Sequence, residues 1–381
     1  MFTITGRPQS RTTIPRKVWI VAPNPPPYGG MSVQAEKVRQ RLRGEGIKAE
    51  LIPTNPAPIP VLRIPGRIPL VRTMIREMQY LLSLRRIAHE PGVVHHLSAS
   101  YLFFFLHSAP LLLIGTWLGW PVVLNYRGGK AAEFLRSWSW AAVPLLRCAD
   151  QVTVPSGFLQ RVFKEHGVSS TVLANLADIE LFPFVERECF SPRFLVTRNL
   201  EPMYGLETVL AAFRKIQKTI PESELGVVGE GSEATRLLHL VRAWELRGVT
   251  FYGVVPYEQL PAIYRHHDIY LNASRVDNFP GALVEAACAG LPIVTTRAGG
   301  IPDMIRHREN GLVCHVDDVN ALAGYTLELL RNQDLARRLA RSARDWAEQF
   351  SWRNVFPQLL RCYGFAWDTR GADLHGEVLA H

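Results

Sequence analysis

The sequence predicts an α/β protein built of two doubly wound domains, and three observations carry that prediction. Short apolar runs alternate with amphipathic stretches at helical spacing along most of the chain, the pattern of strand and helix in turn. A length of 381 residues is enough for two self-sufficient cores. The alternation halts once, at FPFVERECFSP after Leu181, and then restarts with the same rhythm. With 47% hydrophobic and 20% charged residues, the disordered, collagen-like and coiled-coil classes are excluded.

Val18 to Ala22 reads as the first strand and ends in the loop NPPPYGG. After it Met31, Ala35, Val38 and Leu42 recur at helical spacing, Gly44 and Gly46 close the helix, and IKAELI is the next strand. This is a βαβ unit of a parallel sheet. From Ile68 to Ala88, Val71, Met74, Ile75, Met78, Leu81 and Leu82 share one face and Arg72, Arg76 and Arg86 lie elsewhere, which predicts a helix covering the sheet. Between Pro91 and Tyr126 there is no Asp, Glu, Lys or Arg, and YLFFFLHSAPLLLIGTWLGWPVVLNY is long enough to test as a membrane span. His107, Pro110, Gly115, Gly119 and Pro121 interrupt it, so it reads as a buried helix over 101–118, a break, and a buried strand PVVLN. Strands at Gly92 to His95, Asp150 to Pro155 and Ser170 to Ala174 complete a first domain, residues 1–185.

In the second domain, residues 190–350, the order is RFLVT, a helix over 206–219, ELGVVG, a helix over 233–246, VTFYG, a helix near 257–266, and DIYLN. LPIVTT, GLVCHV and helices over 318–331 and 334–349 follow. Trp352, Phe356, Leu359, Leu360 and Tyr363 then form one apolar stripe, so a last helix over 352–368 must dock on something.

Charge is unevenly spread. Residues 1–100 hold 15 Lys and Arg against 5 Asp and Glu, which exceeds the whole chain's net +9 and leaves the rest at −1. A basic first quarter suits an anionic partner, a phosphorylated ligand or an acidic membrane surface. Without interleaved aromatics or a reading module it does not suit nucleic acid. Five scattered cysteines (Cys148, Cys189, Cys288, Cys314, Cys362) with no CxxC pair imply a reducing compartment, and no metal is expected. The N-terminal arm has no apolar core of a signal peptide.

Three stretches carry chemistry. Pro25-Pro26-Pro27-Tyr28-Gly29-Gly30 joins a strand to a helix start, where paired glycines let backbone N–H groups approach an anion; a plain tight turn fits equally. Val228-Gly229-Glu230-Gly231-Ser232 repeats the device at the edge where open α/β sheets bind ligands, and it too can be a connecting turn. In SRVDNFPGALVEAACAGLPIVTTRAGG, residues 274–300, Asp277 and Glu285 stand eight positions apart across Asn278, Phe279, Pro280 and Gly281. Carboxylates there can accept hydrogen bonds from sugar hydroxyls while the amides of the helix start face an anion; Glu285 could also be only a helix-start charge.

This segment resembles the carboxylate-x7-carboxylate signature of family 4 (group 1) retaining glycosyltransferases, and the likeness extends over most of the chain. VAPNPPPYGGMSVQAEKVRQRL is similar to the family's glycine loop and first helix, ADQVTVPSGFLQRVF and VLANLADIELF to its domain-closing segments, TRNLEPMYGLETVLAAF to its diphosphate-binding segment, and HRENGLVCHVDDVNALA with FSW to its ending. The resemblance implies a GT-B fold, in which two Rossmann-like domains face each other across a cleft and the last helix returns to the first. It implies a UDP-sugar or GDP-sugar donor and a saccharide or lipid-linked acceptor in polysaccharide or glycoconjugate synthesis. The expected location is cytoplasmic, and the basic, partly apolar first domain adds the expectation of a peripheral contact with an acidic inner membrane leaflet. Gly29 and Gly30 would border the donor phosphates, Arg198 would neutralise the leaving diphosphate, Glu285 would bind the ribose, and Asp277 with the amides after it would hold the sugar. Glu230 would line the donor site.

Two positions depart from the family: Asp277 stands for its usual Glu, and Tyr204 for its diphosphate-binding Lys. A catalytically silent scaffold of the same fold is the alternative that these departures suggest. On the acceptor side the resemblance and the strand ends nominate His95, Arg127 and Gly128, with one of His95 and His96 expected to be a buried, satisfied histidine.

Overall fold

Six parallel strands form each of two sheets in the computed structural model, which describes residues 14–25, 30–57 and 69–370. Packing divides the chain into two units. The first comprises residues up to Val154, Val162–Leu173 and those from Phe356; the second comprises Pro155–Arg161 and Ala174–Val355.

The first unit runs β1 (Lys17–Ala22), α1 (Gly30–Gly44), β2 (Lys48–Pro53), α2 (Pro69–Ser83), α3 (Arg85–His89) and β3 (Val93–Ser98). A π-helical turn (Phe104–Ser108) then leads into α4 (Ala109–Leu118), followed by β4 (Val122–Tyr126), α5 (Ala131–Leu146), β5 (Gln151–Val154), α6 (Gly157–Glu165) and β6 (Thr171–Val172). The strand order is β2-β1-β3-β4-β5-β6. Strands β1, β3 and β4 are buried along their whole length, as in a sheet covered on both faces, so that Lys17, His95, His96, Ser98 and Asn125 are buried with the apolar residues around them.

Two expectations fail here, for one reason. The apolar stripe of α2 does not cover the sheet: Met74 is 64% and Met78 60% exposed. The polar side faces inward instead, because Tyr80 donates to the His107 carbonyl at 2.9 Å and Glu77 meets His107 Nε2 at 3.2 Å. The stretch 101–118 is likewise not a wholly buried helix, since it starts with the π-helical turn that carries His107 and leaves Trp117 84% exposed. Among the described residues no helix is long and apolar enough to cross a membrane.

His95 and His96 both lie in this core. His96 spans the Val21 carbonyl (3.0 Å) and Ser108 Oγ (2.7 Å). His95 Nδ1 lies 2.8 Å from Tyr363 Oη, on α14 (Trp352–Thr369), whose residues from Phe356 belong to this unit. Arg370 beyond it reaches Asp150 at 2.6 Å. Burial pushes both imidazoles down to about 3, helped at His95 by Arg127 and opposed at His96 by the Val21 carbonyl. Above pH about 6.5 neither folded nor unfolded chain binds these protons, whereas below it the unfolded chain takes up protons that the fold refuses. Each histidine is therefore expected to cost about 1.4 kcal/mol of stability by pH about 5.5. Thermal denaturation followed from pH about 7.5 down to that value checks it; a flat melting temperature would show that solvent protonates both rings in the fold.

The second unit contains β7 (Arg193–Thr197), α7 (Leu206–Thr219), β8 (Glu224–Val228), α8 (Ala234–Ala243), β9 (Val249–Gly253), α9 (Leu260–His266) and β10 (Ile269–Leu271). Then come α10 (Gly281–Cys288), β11 (Ile293–Thr296), α11 (Ile301–Met304), β12 (Leu312–Cys314), α12 (Val319–Arg331) and α13 (Gln333–Ala347). The order is β12-β11-β10-β7-β8-β9. Alternate residues feed opposite cores: Phe194, Val196 and Leu271 pack toward α7 and α12, and Leu195, Tyr270 and Ile293 toward α10. The long continuous part of this unit begins at Ala174, before the boundary expected at 185–190, because Ile179 and Phe182 are core residues and Phe182 meets the Tyr264 ring edge-on at 5.3 Å.

Candidate active site

In the second sheet β7 leads on to β8 and β9 on one side, while β10 starts the other half beside β7. The loops leaving β7 and β10 therefore diverge at the carboxyl edge, the place where open α/β sheets open a crevice. Arg198 follows β7 and Asp277 lies on the loop after β10. Sequence positions 79 apart are thus brought into contact: Arg198 Nη2 donates to Asp277 Oδ2, and both side chains are nearly buried.

The guanidinium is held on two sides. Asp277 takes Nη2, the Tyr204 ring lies under Cζ at 4.0 Å, and Nε is buried with no partner among the described residues. Tyr204 does not supply a second cation, but it gives the arginine a stacking platform. It stands in a short 3-10 turn that Gly205 terminates at φ +62, where a Cβ would come within 2.1 Å of the Ala273 carbonyl. Only glycine lets this turn seat against the loop after β10.

Asp277 also accepts the backbone N–H groups of Asn278 and Phe279. Burial raises its pKa, against the pull of Arg198 and of those amides. Gly300 donates to the Asp277 carbonyl at 2.8 Å, and a Cβ on Gly299 would come within 2.1 Å of that oxygen, which explains the glycine pair of TRAGG. Phe279 is fixed edge-on against Phe350 at 5.2 Å, Pro280 precedes the first turn of α10, and the space beside Gly281 is open. Asp277 is thus seated by Arg198 and the helix start, a tighter setting than a free sugar-binding carboxylate.

Glu285, in the second turn of α10, accepts from Tyr264 Oη at 3.0 Å and is also hydrogen-bonded by Tyr257. Behind it Thr197 Oγ1 lies 2.7 Å from Tyr264 Oη and 3.0 Å from Tyr270 Oη, so Tyr270, Thr197 and Tyr264 can donate in sequence toward the carboxylate. Burial and the Glu285 charge push the Tyr264 phenol well up, and burial brings Tyr270 to about 12, so both stay protonated donors. Tyr264→Phe is expected to raise the donor KM roughly ten-fold or more with a smaller change in kcat, because one hydrogen bond to a charged group is lost and the reacting bond is not touched. Steady-state kinetics on the variant decide between that and an equal fall in both parameters.

The turn at Glu230 is less open to an anion than its sequence suggests. Glu201 accepts from Ser232 N at 3.0 Å and from Ser232 Oγ at 2.6 Å, so a carboxylate of the chain already occupies that turn. Glu230 itself gives its carbonyl to Leu200 N.

In the first unit the corresponding divergence lies between β1 and β3. Gly30 opens α1 with free space at its Cβ position; Gly29 lies outside the described residues. His95, expected on the acceptor side, is 1% exposed, and Asn125 Nδ2 lies 3.3 Å from its Nε2 while Tyr363 holds Nδ1. It is a packed histidine, and so is His96. Arg127 leaves β4 with its N–H on the Ser98 carbonyl (2.8 Å), its pKa lowered to about 10 by burial. A Cβ on Gly128 would strike Ser100 Oγ at 2.3 Å, so that loop needs its glycine. Among the described residues no group of three or more His, Cys, Asp or Glu is placed to hold a metal.

Sequence models of two families match the chain: "Glycosyl transferases group 1" over residues 187–346 and "Glycosyltransferase Family 4" over residues 28–181. The chain belongs to the family 4 (group 1) glycosyltransferases. The N-acetyl-alpha-D-glucosaminyl L-malate synthase of Bacillus anthracis is 29% identical over 182 residues, 47% of this chain and 46% of that relative. A sulfoquinovosyl transferase of Arabidopsis thaliana is 24% identical over 69% of this chain and 54% of its own. The chain thus matches about half the length of these glycosyltransferases. Among solved structures, sucrose-phosphate synthase from Thermosynechococcus elongatus has a TM-score of 0.73 at 18% identity, covering 93% of this chain and 100% of its own. Anabaena HepE, solved with UDP-glucose, has a TM-score of 0.68 at 18% identity over 91% and 98%. These likenesses establish the GT-B fold for this family member.

Proposed function

We propose that the chain is a retaining glycosyltransferase that moves a sugar from a UDP-sugar or GDP-sugar to a hydroxyl of a saccharide or lipid-linked acceptor, in the building of a polysaccharide or glycoconjugate. The observation that carries this reading is Arg198, a nearly buried guanidinium at the divergence of the second sheet whose Nε has no partner among the described residues and whose ion-pair partner Asp277 is held by the amides just before α10. Cleaving the sugar–phosphate bond builds negative charge on the departing diphosphate, and a fixed cation with helix-end amides stabilises it without reorganisation. In this reading Nε and the α10 amides face the diphosphate, Glu285 receives the ribose hydroxyls, and Asp277 sets the arginine and the sugar. The departing phosphate accepts the proton of the attacking hydroxyl on the same face, so Asp277 forms no glycosyl adduct.

No metal ion has a role in this scheme, because Arg198 and the helix end supply the positive potential. Turnover is accordingly expected to survive EDTA, and its loss with recovery on adding magnesium would assign the diphosphate to a metal. Five free cysteines support a reducing, cytoplasmic setting. The reading is tested by thermal stabilisation with UDP, GDP, ADP and their sugar conjugates. A selective ligand at about 100 times its Kd adds about 2.7 kcal/mol. If no member of the panel stabilises the chain, the reading falls and a silent scaffold takes its place.

A further inference from the structure

The outer face of the first unit carries several large apolar side chains in solvent. Connections β2 to β3, β3 to β4 and β4 to β5 all advance across the sheet in one direction, so right-handed crossovers put α2, α4 and α5 side by side on one face. Contacts between them agree: the Tyr80 and His107 rings meet at 5.3 Å, and the Phe105 and Trp138 rings at 5.5 Å. On α2 the polar groups Glu77 and Tyr80 turn inward, and although Leu111, Leu112, Phe134 and Leu135 of α4 and α5 are buried in the core, each of the three helices also leaves large apolar side chains outside it. Met74 and Met78 on α2, Leu113 and Trp117 on α4, and Trp140 on α5 (75% exposed) all face solvent. Exposed apolar groups on three helices of one layer mark an interaction surface.

Charge selects the occupant. Residues 91–126 contain no Asp, Glu, Lys or Arg, so the centre of the layer is uncharged. Exposed Arg85 opens α3, exposed Lys130, Arg136 and Arg147 stand before, on and after α5, and of the two acids on α2 and α5 only Glu133 is exposed, Glu77 being turned to His107. A second copy placed face to face would set these cationic groups against each other. A leaflet of anionic lipid neutralises them, and tryptophan side chains settle at the level of its headgroups.

We propose that the outer layer formed by α2, α4 and α5 docks on an anionic lipid bilayer, with Met74, Met78, Trp117 and Trp140 entering the headgroup region. This deepens the proposed function by stating how a lipid-linked acceptor is met, and it rests on that reading for this consequence alone. The test is cosedimentation of the full chain with vesicles of equal parts phosphatidylglycerol and phosphatidylcholine, and with phosphatidylcholine alone. The chain is expected to bind the mixed vesicles, to bind the neutral ones far less, and to be released by salt. Trp117→Ser with Trp140→Ser is expected to weaken binding at least about ten-fold, and Met74→Ser with Met78→Ser to do likewise, each with an unchanged melting temperature because the side chains are exposed. Binding no stronger to anionic than to neutral vesicles, or full binding by both double variants, overturns the proposal. So does a wild-type dimer in sedimentation velocity that the tryptophan variant abolishes, since the face would then belong to a second copy. Donor stabilisation measured without vesicles separates the two readings: its absence sinks glycosyl transfer and leaves bilayer docking standing.

Discussion

Replacing Arg198 with alanine is expected to lower kcat for glycosyl transfer by about 100- to 1,000-fold, the loss seen when one fixed donor to developing negative charge is removed. Its position makes the effect large. The side chain is nearly buried, its Nε has no partner among the described residues, and the Tyr204 ring lies 4.0 Å from its Cζ. Arg198→Lys should recover little, since an ammonium cannot stack on Tyr204 and also present a planar fork to carboxylate and phosphate. Tyr204→Leu should cost about five- to thirty-fold, the worth of a desolvated cation–π contact, and should raise the donor KM together with the fall in kcat. Folding should survive Arg198→Ala, because Asp277 keeps the amides of Asn278 and Phe279 and its pKa is already raised by burial, so its carboxyl can take up a proton. Single-turnover kinetics with a saturating donor check the prediction. A loss below about ten-fold would mean that another cation neutralises the diphosphate.

How much of this site was legible follows from where its residues sit. Asp277 and Glu285 could be named because their spacing and the resemblance pointed to the same positions, and Arg198 because the resemblance did. That Arg198 and Asp277 pair could not be read from the sequence, since it depends on β7 and β10 being neighbours although β8 and β9 come between them in the chain. The tyrosines behind Glu285 gave no local signal, as Tyr264 lies inside a short helix and Tyr270 sits mid-strand, where either would pass for core. Glu201 was invisible for the same reason: its hold on Ser232 crosses from one loop to the next. The repeated βα rhythm predicted both sheets, and α7 falls where its periodicity placed it. Periodicity found the stripe of α2 but misjudged its direction, because an amphipathic pattern tells which residues share a face and not what that face meets.

The segment that broke the rhythm, FPFVERECFSP, supplies the residue whose loss should most damage stability. Arg187 is nearly buried and donates to Asp268 Oδ1 at 3.1 Å and to the carbonyls of Val185, Tyr264, His267, Ala289 and Gly290 at 2.9–3.3 Å. Burial lowers its pKa and Asp268 opposes the shift, so the cation is retained by its partners. Arg187→Ala leaves five carbonyls without this donor and leaves Asp268 to Arg193 (2.7 Å) and the Ser191 amide. Removing one partner of a buried pair typically costs about 3–5 kcal/mol. At about 2–4 °C per kcal/mol for a unit of this size, the melting transition of the second unit should fall by about 10 °C. Arg187→Lys should restore less than half, having three donors where six acceptors are served. The consequence reaches the site, because these contacts pin the residue before β10, whose far end leads to Asp277, and the turn that ends α10, which carries Glu285. Below its lowered melting point the alanine variant should therefore show a raised donor KM, whereas Arg198→Ala should show its loss in kcat. Calorimetry that finds the second transition shifted by less than about 2 °C would show that water enters and serves the carbonyls in place of the guanidinium.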